Sequence, residues 1–206
     1  MTPNAKKKAL SPSKGERTRE HILNTAGDLF HAQGINATSL GDVLRASGAG
    51  KGQFYFYFHG RDALLEQVLK KHQATLKKIS HPIESWNDLK KWMDYHVMMQ
   101  SQFKFERGCP IGTAAYAIQP GQEASREILK TIFAAMRRNI ATFLERERDE
   151  GRLDKKAQPA RLAAFAVANV QGGLLLSLTE RGPAPAKAAI KECFSHLKSF
   201  VLENAR

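Results

Sequence analysis

The string KGQFYFYF, residues 51–58, gathers the side chains best suited to a chemical task. At helical spacing Phe54 and Phe58 lie four apart and share a face. Lys51, Gln53, Tyr55 and Tyr57 then point outward or sideways, offering a cation, an amide and two hydroxyls. Phosphate oxygens and base edges are read by donors of these types. The same string also suits an aromatic core helix in which Tyr55 and Tyr57 cap a buried ring.

Cys109 is a second reactive candidate. In Gly108-Cys109-Pro110 the proline suits a first helical position, which puts the thiol at a helix start. That start, with Lys104 and Arg107 nearby, favours the thiolate, the form that reacts with electrophiles and oxidants. A small half-buried cap with an idle thiol fits the position equally. Cys193 falls on an apolar stripe and reads as packing. Two distant cysteines and seven histidines without HxxxH or HExxH spacing make no metal site. No Ser/His/Asp spacing, glycine-rich phosphate loop or paired-carboxylate motif stands out, so neither an enzyme nor a cofactor is expected.

The elements that must hold these residues are helical. Ile22, Ala26, Leu29, Phe30 and Gln33 repeat at helical spacing from Arg17 onward, and Gly34 is a natural stop. Ser39 suits an N-cap for a short helix with Leu40, Val43 and Leu44 on one face, ending at Ser47-Gly48. A Gly48-Ala49-Gly50 turn leads into KGQFYFYF. Two short helices joined by a glycine turn make a helix-turn-helix pattern. A fourth helix runs from about Asp62 to Lys78. Further helices are expected over Ser85 to Phe103, Pro110 to Ile118, Glu123 to Glu150, Pro159 to Glu180 and Ala184 to Asn204. No strand alternation occurs, so the fold class is all-α.

The 206 residues carry 32 Lys+Arg against 20 Asp+Glu, a formal net charge of +12, which suits a polyanionic partner such as nucleic acid or an acidic membrane surface. Residues 1–15 read as a disordered basic tail, whose Lys6, Lys7, Lys8 and Lys14 could add phosphate contacts. No run of 18 consecutive apolar residues occurs and no apolar segment follows the first lysines. A cytoplasmic protein with no membrane partner is therefore expected.

Residues 17–70 resemble the DNA-binding domain of tetracycline-repressor (TetR) family regulators. The likeness is carried by RTREHILNTAGDLFHAQGINATSL, DVLRASG, GKGQFYFYF and RDALL. Phe54-Tyr55 stands at the family's Leu-Tyr pair and Tyr57-Phe58 at its His-Phe pair, and Arg61 stands for a lysine. The resemblance implies that Lys51, Tyr55 and Tyr57 meet phosphates. It implies that Ser39, Gly41, Arg45, Gly52 and Gln53 lie at or near positions reaching phosphates or bases, with Arg45 and Gln53 assigned to direct readout. Gly41, Gly50 and Gln53 depart from the family's usual residues, so no operator sequence is implied. RGCPIGTAAYAI and LAAFAVANVQGGLLLS resemble the regulatory domain of a TetR subgroup with a Gly-Cys-x-Ile/Leu-Gly element. That implies a ligand cavity among the C-terminal helices and a dimer made by the last two.

The residues themselves add detail. Leu162, Phe165, Ala166, Asn169, Val170, Gly173 and Leu176 form one stripe; Ile190, Cys193, Phe194, Leu197, Phe200 and Val201 form another. Phe165, Asn169, Gly173, Ile190, Phe194, Leu197 and Val201 are the expected dimer contacts, although both stripes could equally cover a monomer core. Trp92, Tyr95, Met99, Phe103, Tyr116, Phe133 and Met136, together with Cys109, are candidates for a pocket or sensor, with Trp86 and Met98 nearby in type. The expected organisation is a tail to residue 15, a DNA-binding unit over 16–60 and a regulatory and dimerisation unit over 61–206. The expected function is a repressor released from a palindromic operator by an unnamed small-molecule inducer or by cysteine modification. The alternative is a DNA-compacting protein without sequence preference or ligand control.

Overall fold

A computed structural model describes residues 13–203 of the chain. Within them the chain forms nine helices: α1 (Lys14–Gln33), α2 (Leu40–Ser47), α3 (Lys51–Tyr57), α4 (Arg61–Ile79), α5 (Trp86–Ser101), α6 (Pro110–Ala117), α7 (Glu123–Asp149), α8 (Pro159–Glu180) and α9 (Ala184–Lys198). The all-α expectation holds. Lys6, Lys7 and Lys8 lie outside the described residues. Helix α1 starts earlier than periodicity suggested. The Ser13 hydroxyl accepts the Glu16 amide at 3.2 Å, and the Glu16 carboxylate accepts the Ser13 amide at 2.6 Å. Lys14 and Gly15 are therefore helical, not tail.

Two apolar clusters form, and α7 runs through both. The first joins Ile22, Ala26 and Phe30 of α1 to Val43, Phe54 and Phe58, then takes in Leu64, Leu65, Val68 and Leu69 of α4. Packing thus continues past residue 60, where the sequence suggested a division. Leu129 and Ile132 of α7 belong to this cluster, whereas Ile140, Phe143 and Leu144 belong to the second, with α5, α8 and α9. A helix of 27 residues spans about 40 Å, long enough to serve both.

Three expected features differ. Helix α5 ends at Ser101, not Phe103, because Lys104 and Phe105 take left-handed backbone (φ 52° and 61°). The amides of Phe103 and Phe105 turn back onto the Gln100 carbonyl at 3.1 Å, which lets Phe105 bury its ring. Helix α9 ends at Lys198. Beyond it Val201 pairs with Leu153, the Asp154 amide donates to the Phe200 carbonyl and the Leu202 amide to the Arg152 carbonyl. Asn204, the expected last helical residue, lies outside the described residues.

The third difference concerns the two stripes. Gly173, Ile190, Leu197 and Val201 are buried within one protomer, so they cannot also face a partner. The reason is that α8 is apolar on nearly every side: by length and composition it could cross a membrane, yet 44% of its most apolar window is buried in the core. Phe165 (39%), Leu175 (42%) and Leu176 (54%) remain exposed, with Asn169 half-buried. Phe165, Asn169, Gly172 and Leu176 follow one another at helical spacing on that outer side. At the inner side, a Cβ on Gly173 would stand 3.0 Å from the Ala186 backbone, so glycine permits the close approach of α8 to α9.

Candidate nucleic-acid interface

Helices α2 and α3 build the interface from caps and glycines. The Ser39 hydroxyl accepts the Asp42 amide at 3.1 Å, and the Asp42 carboxylate accepts the Ser39 amide at 2.9 Å, closing a capping box. These bonds from Ser39 hold the Asp42 carboxyl below the usual carboxylate range, helped by the Arg45 guanidinium. Arg45 is ion-paired to Asp42 while its side chain stays 77% exposed. Gly48 takes the left-handed conformation (φ 65°) that ends α2 and turns the chain toward α3. The loop before α2 is fixed by Arg61, whose Nε donates to the Thr38 carbonyl at 3.0 Å and whose guanidinium also reaches the Ile35 carbonyl.

Helix α3 divides its residues as the sequence suggested. Phe54 and Phe58 are fully buried, so they anchor the helix on α1 and α4. Lys51, Gly52, Gln53 and Tyr55 are exposed. Nothing lies within 4 Å of the Cβ position at Gly52, and Gly41 is also exposed, its Cβ position meeting only the Ser39 hydroxyl at 3.5 Å. Tyr57 differs: it is half-buried, with its hydroxyl beside Gly15 at the start of α1. Sequence reasoning missed Phe56, which is 80% exposed and packs its ring edge-on to Tyr57 at 5.0 Å. The arithmetic could have found it, since position 56 cannot share the face of 54 and 58.

The other candidates are scattered. Cys109, Phe133 and Met136 come together where the two apolar clusters meet. Trp92 sits against the His96 ring at 4.7 Å and Met99 is half-buried, whereas Tyr95 and Tyr116 are exposed. Phe103 lies between the His31 ring and the Arg107 guanidinium. Trp86 is partly buried against the core, its indole N–H donating to buried Glu147 at 3.1 Å. The Cys109 sulfur accepts from Gln171 Nε2 at 3.7 Å, and its residue caps α6 without a side-chain hydrogen bond. Of the two cations expected beside it, Lys104 faces solvent and Arg107 stacks on Phe103. Gly112 has a reason of its own: a Cβ there would come within 2.5 Å of the Gln171 amide oxygen. His31 Nε2–H donates to the Gly108 carbonyl at 3.0 Å, tying α1 to the residue before Cys109.

A capped helix, a left-handed glycine turn and a second short helix with a polar outer face define a helix-turn-helix DNA-binding regulator. Comparison with known proteins sharpens this. Residues 22–68 match the family "Bacterial regulatory proteins, tetR family", and residues 86–193 match "Tetracyclin repressor-like, C-terminal domain". The chain is 30% identical to an uncharacterized HTH-type transcriptional regulator of Lactococcus lactis, over 77% of this chain and 82% of that protein. It is 28% identical to the HTH-type transcriptional regulator LmrA of Bacillus subtilis, over 82% and 90% of the two chains. A TetR transcriptional regulator from Chloroflexus aurantiacus shares the fold, with TM-score 0.78, 21% identity, and 91% and 98% coverage. The protein belongs to the TetR family of transcriptional regulators.

Proposed function

We propose that the chain is a homodimeric repressor that binds a palindromic operator and leaves it when the C-terminal helices meet an inducer or when Cys109 is modified. The observation that carries the DNA reading is the outer face of α3: Lys51, Gln53, Tyr55 and Phe56 exposed on a helix held by Phe54 and Phe58. In this reading Lys51, Tyr55 and Tyr57 contact phosphates, and Gln53 and Arg45 read base edges. Arg45 must first exchange Asp42 for a base. Ser39, Gly41 and Gly52 border the surface, and the two glycines leave room for close approach. Phe56 adds an apolar surface suited to a thymine methyl group. The regulator works in the cytoplasm, where its operator is.

The exposed outer stripe of α8 (Phe165, Asn169, Gly172 and Leu176) supports the dimer. Two copies joined there present two α3 helices to a palindrome. Phe194, also expected at that contact, instead faces α5, its ring 6.0 Å from that of Trp86. Two orphaned polar atoms support an inducer site on α5 beside Trp92, whose ring lies 4.7 Å from that of His96, with Cys109, Met99, Phe133 and Met136 as its further candidate residues. His96 Nε2 and Gln100 Oε1 are sealed from solvent and have no partner, and they lie one turn apart on α5. A ligand could satisfy both. The switch runs through Cys109: bulk added to its sulfur would push on Gln171 of α8 and shift Gly108, whose carbonyl holds His31 of α1.

Selection of bound fragments from genomic DNA tests this reading. A repressor yields one palindromic consensus, bound at least about a thousandfold more tightly than random DNA. Equal affinity for all fragments would leave the DNA-compacting alternative. For the switch, operator binding is followed before and after alkylation in the native chain and in Cys109→Ser. Release confined to the native chain supports the cysteine route; full binding by the alkylated chain rules it out and leaves the inducer alone.

A further inference from the structure

Between α5 and the start of α9 lies a cleft of about 690 Å³, within the range of small-molecule sites. Its floor is apolar: Val97 and Phe105 from the α5 side and Ile190 from α9 are buried, and Phe194 is half-buried. Its rim carries Lys90, Lys187 and Lys191 against one acid, Asp94. Lys90 is ion-paired with Asp94. Among the described residues the side chains of Lys187 and Lys191 have no ion-pair or hydrogen-bond partner. They stand four apart on α9, so both ammonium groups overlook the same floor.

We propose that this cleft binds an amphipathic monoanion, an apolar body of medium-chain or aromatic type ending in a carboxylate. The floor accepts the apolar body, since burying it removes both surfaces from water. The carboxylate lies at the rim, where Lys187 and Lys191 supply charge that no acid pairs with among the described residues. The positive end of the 15-residue helix α9, next to Pro183, adds to the same field. A neutral ligand would leave the two lysines unpaired, and a dianion would have to desolvate its second charge against the apolar floor. The site is separate from the proposed inducer position: residues 90, 94, 97, 98 and 101 face the cleft, whereas His96 and Gln100 lie on another side of α5.

The test is calorimetric titration of the DNA-free chain with decanoate and with decanol at equal chain length. Because no operator is present, a failure here is separate from a failure of the repressor reading. Decanoate should bind and decanol should bind at least about tenfold more weakly. The double substitution Lys187→Gln/Lys191→Gln should weaken decanoate roughly five- to tenfold and leave decanol and the melting temperature unchanged. Met98→Glu, at a half-exposed rim position, should abolish decanoate binding without unfolding the chain. Equal affinity for acid and alcohol overturns the proposal, as does unchanged decanoate binding in the double variant. A change of sedimentation mass in that variant would also overturn it, because the cleft would then be a contact between copies.

Discussion

At the scale of single residues, the proposed reading divides α3 between two kinds of DNA contact. Lys51→Ala should weaken binding to every sequence and lower the salt slope by about one unit per half-site, read from affinity against salt. Phe56 behaves differently because its surface has no hydrogen bond to offer. A thymine methyl is worth at most about 0.8 kcal/mol when buried. Replacing operator thymines by uracil should therefore weaken the native chain several-fold and leave Phe56→Ala nearly unaffected. Equal losses for both chains would remove Phe56 from the readout surface. The anchors Phe54 and Phe58 were legible in the sequence because they are four apart. Phe56 was not, since an apolar type argues for burial and only its register argues against it. Tyr57 was half legible: its register sets it off the core face, but only the fold brings Gly15 alongside.

At the scale of elements, α5 and α8 set how stability responds to acid and to added volume. Burial lowers the affinity of the His96 ring for protons, to a pKa of about 4, and burial also pushes His31 and His72 downward. All three rings are thus favoured neutral in the folded chain. Above about pH 6.5 folded and unfolded states are both neutral and the rings contribute nothing to the pH slope. As pH falls from there toward 4, the unfolded chain takes up protons that the folded chain refuses, so stability declines. His96→Phe should flatten that decline by at most about 3 kcal/mol, measured as melting temperature against pH. An identical profile in the variant would place the acid sensitivity elsewhere. On α8, Gly173→Ala should cost about 1–3 kcal/mol, because the new methyl meets the Ala186 backbone at 3.0 Å. The periodicity of α8 hid this distinction. A helix apolar on most sides gives two plausible stripes, and only the packing of α9 decides which one is inside. The cleft between α5 and α9 was invisible for a related reason: its two walls come from segments far apart in sequence that share no motif.

At the scale of the molecule, the exposed side of α8 makes its own demand. Leu176→Glu puts a charge on the outer stripe without touching the protomer core, so it should give a folded monomer by sedimentation and circular dichroism. Ile190→Glu is the wrong probe, since Ile190 is core and its loss would unfold the protomer. A Leu176→Glu chain of unchanged mass would place the dimer contact on another face. Gly172 sharpens the same question. Nothing stands within 4 Å of its Cβ position in the protomer, so Gly172→Ala should raise helix stability by about 1 kcal/mol in a monomer. A loss of association in that variant would show the second copy pressing against the helix backbone there.

Helix α8 has a further consequence. In the proposed dimer a second copy covers Phe165, Leu175 and Leu176, so pairing adds to the stability of each folded chain by mass action. The melting temperature should then climb with protein concentration, each tenfold increase adding about 1.4 kcal/mol per dimer. Dilute chains in a cell would be the least stable ones. The quantity of regulator made would set how long each molecule survives as well as how much operator it fills.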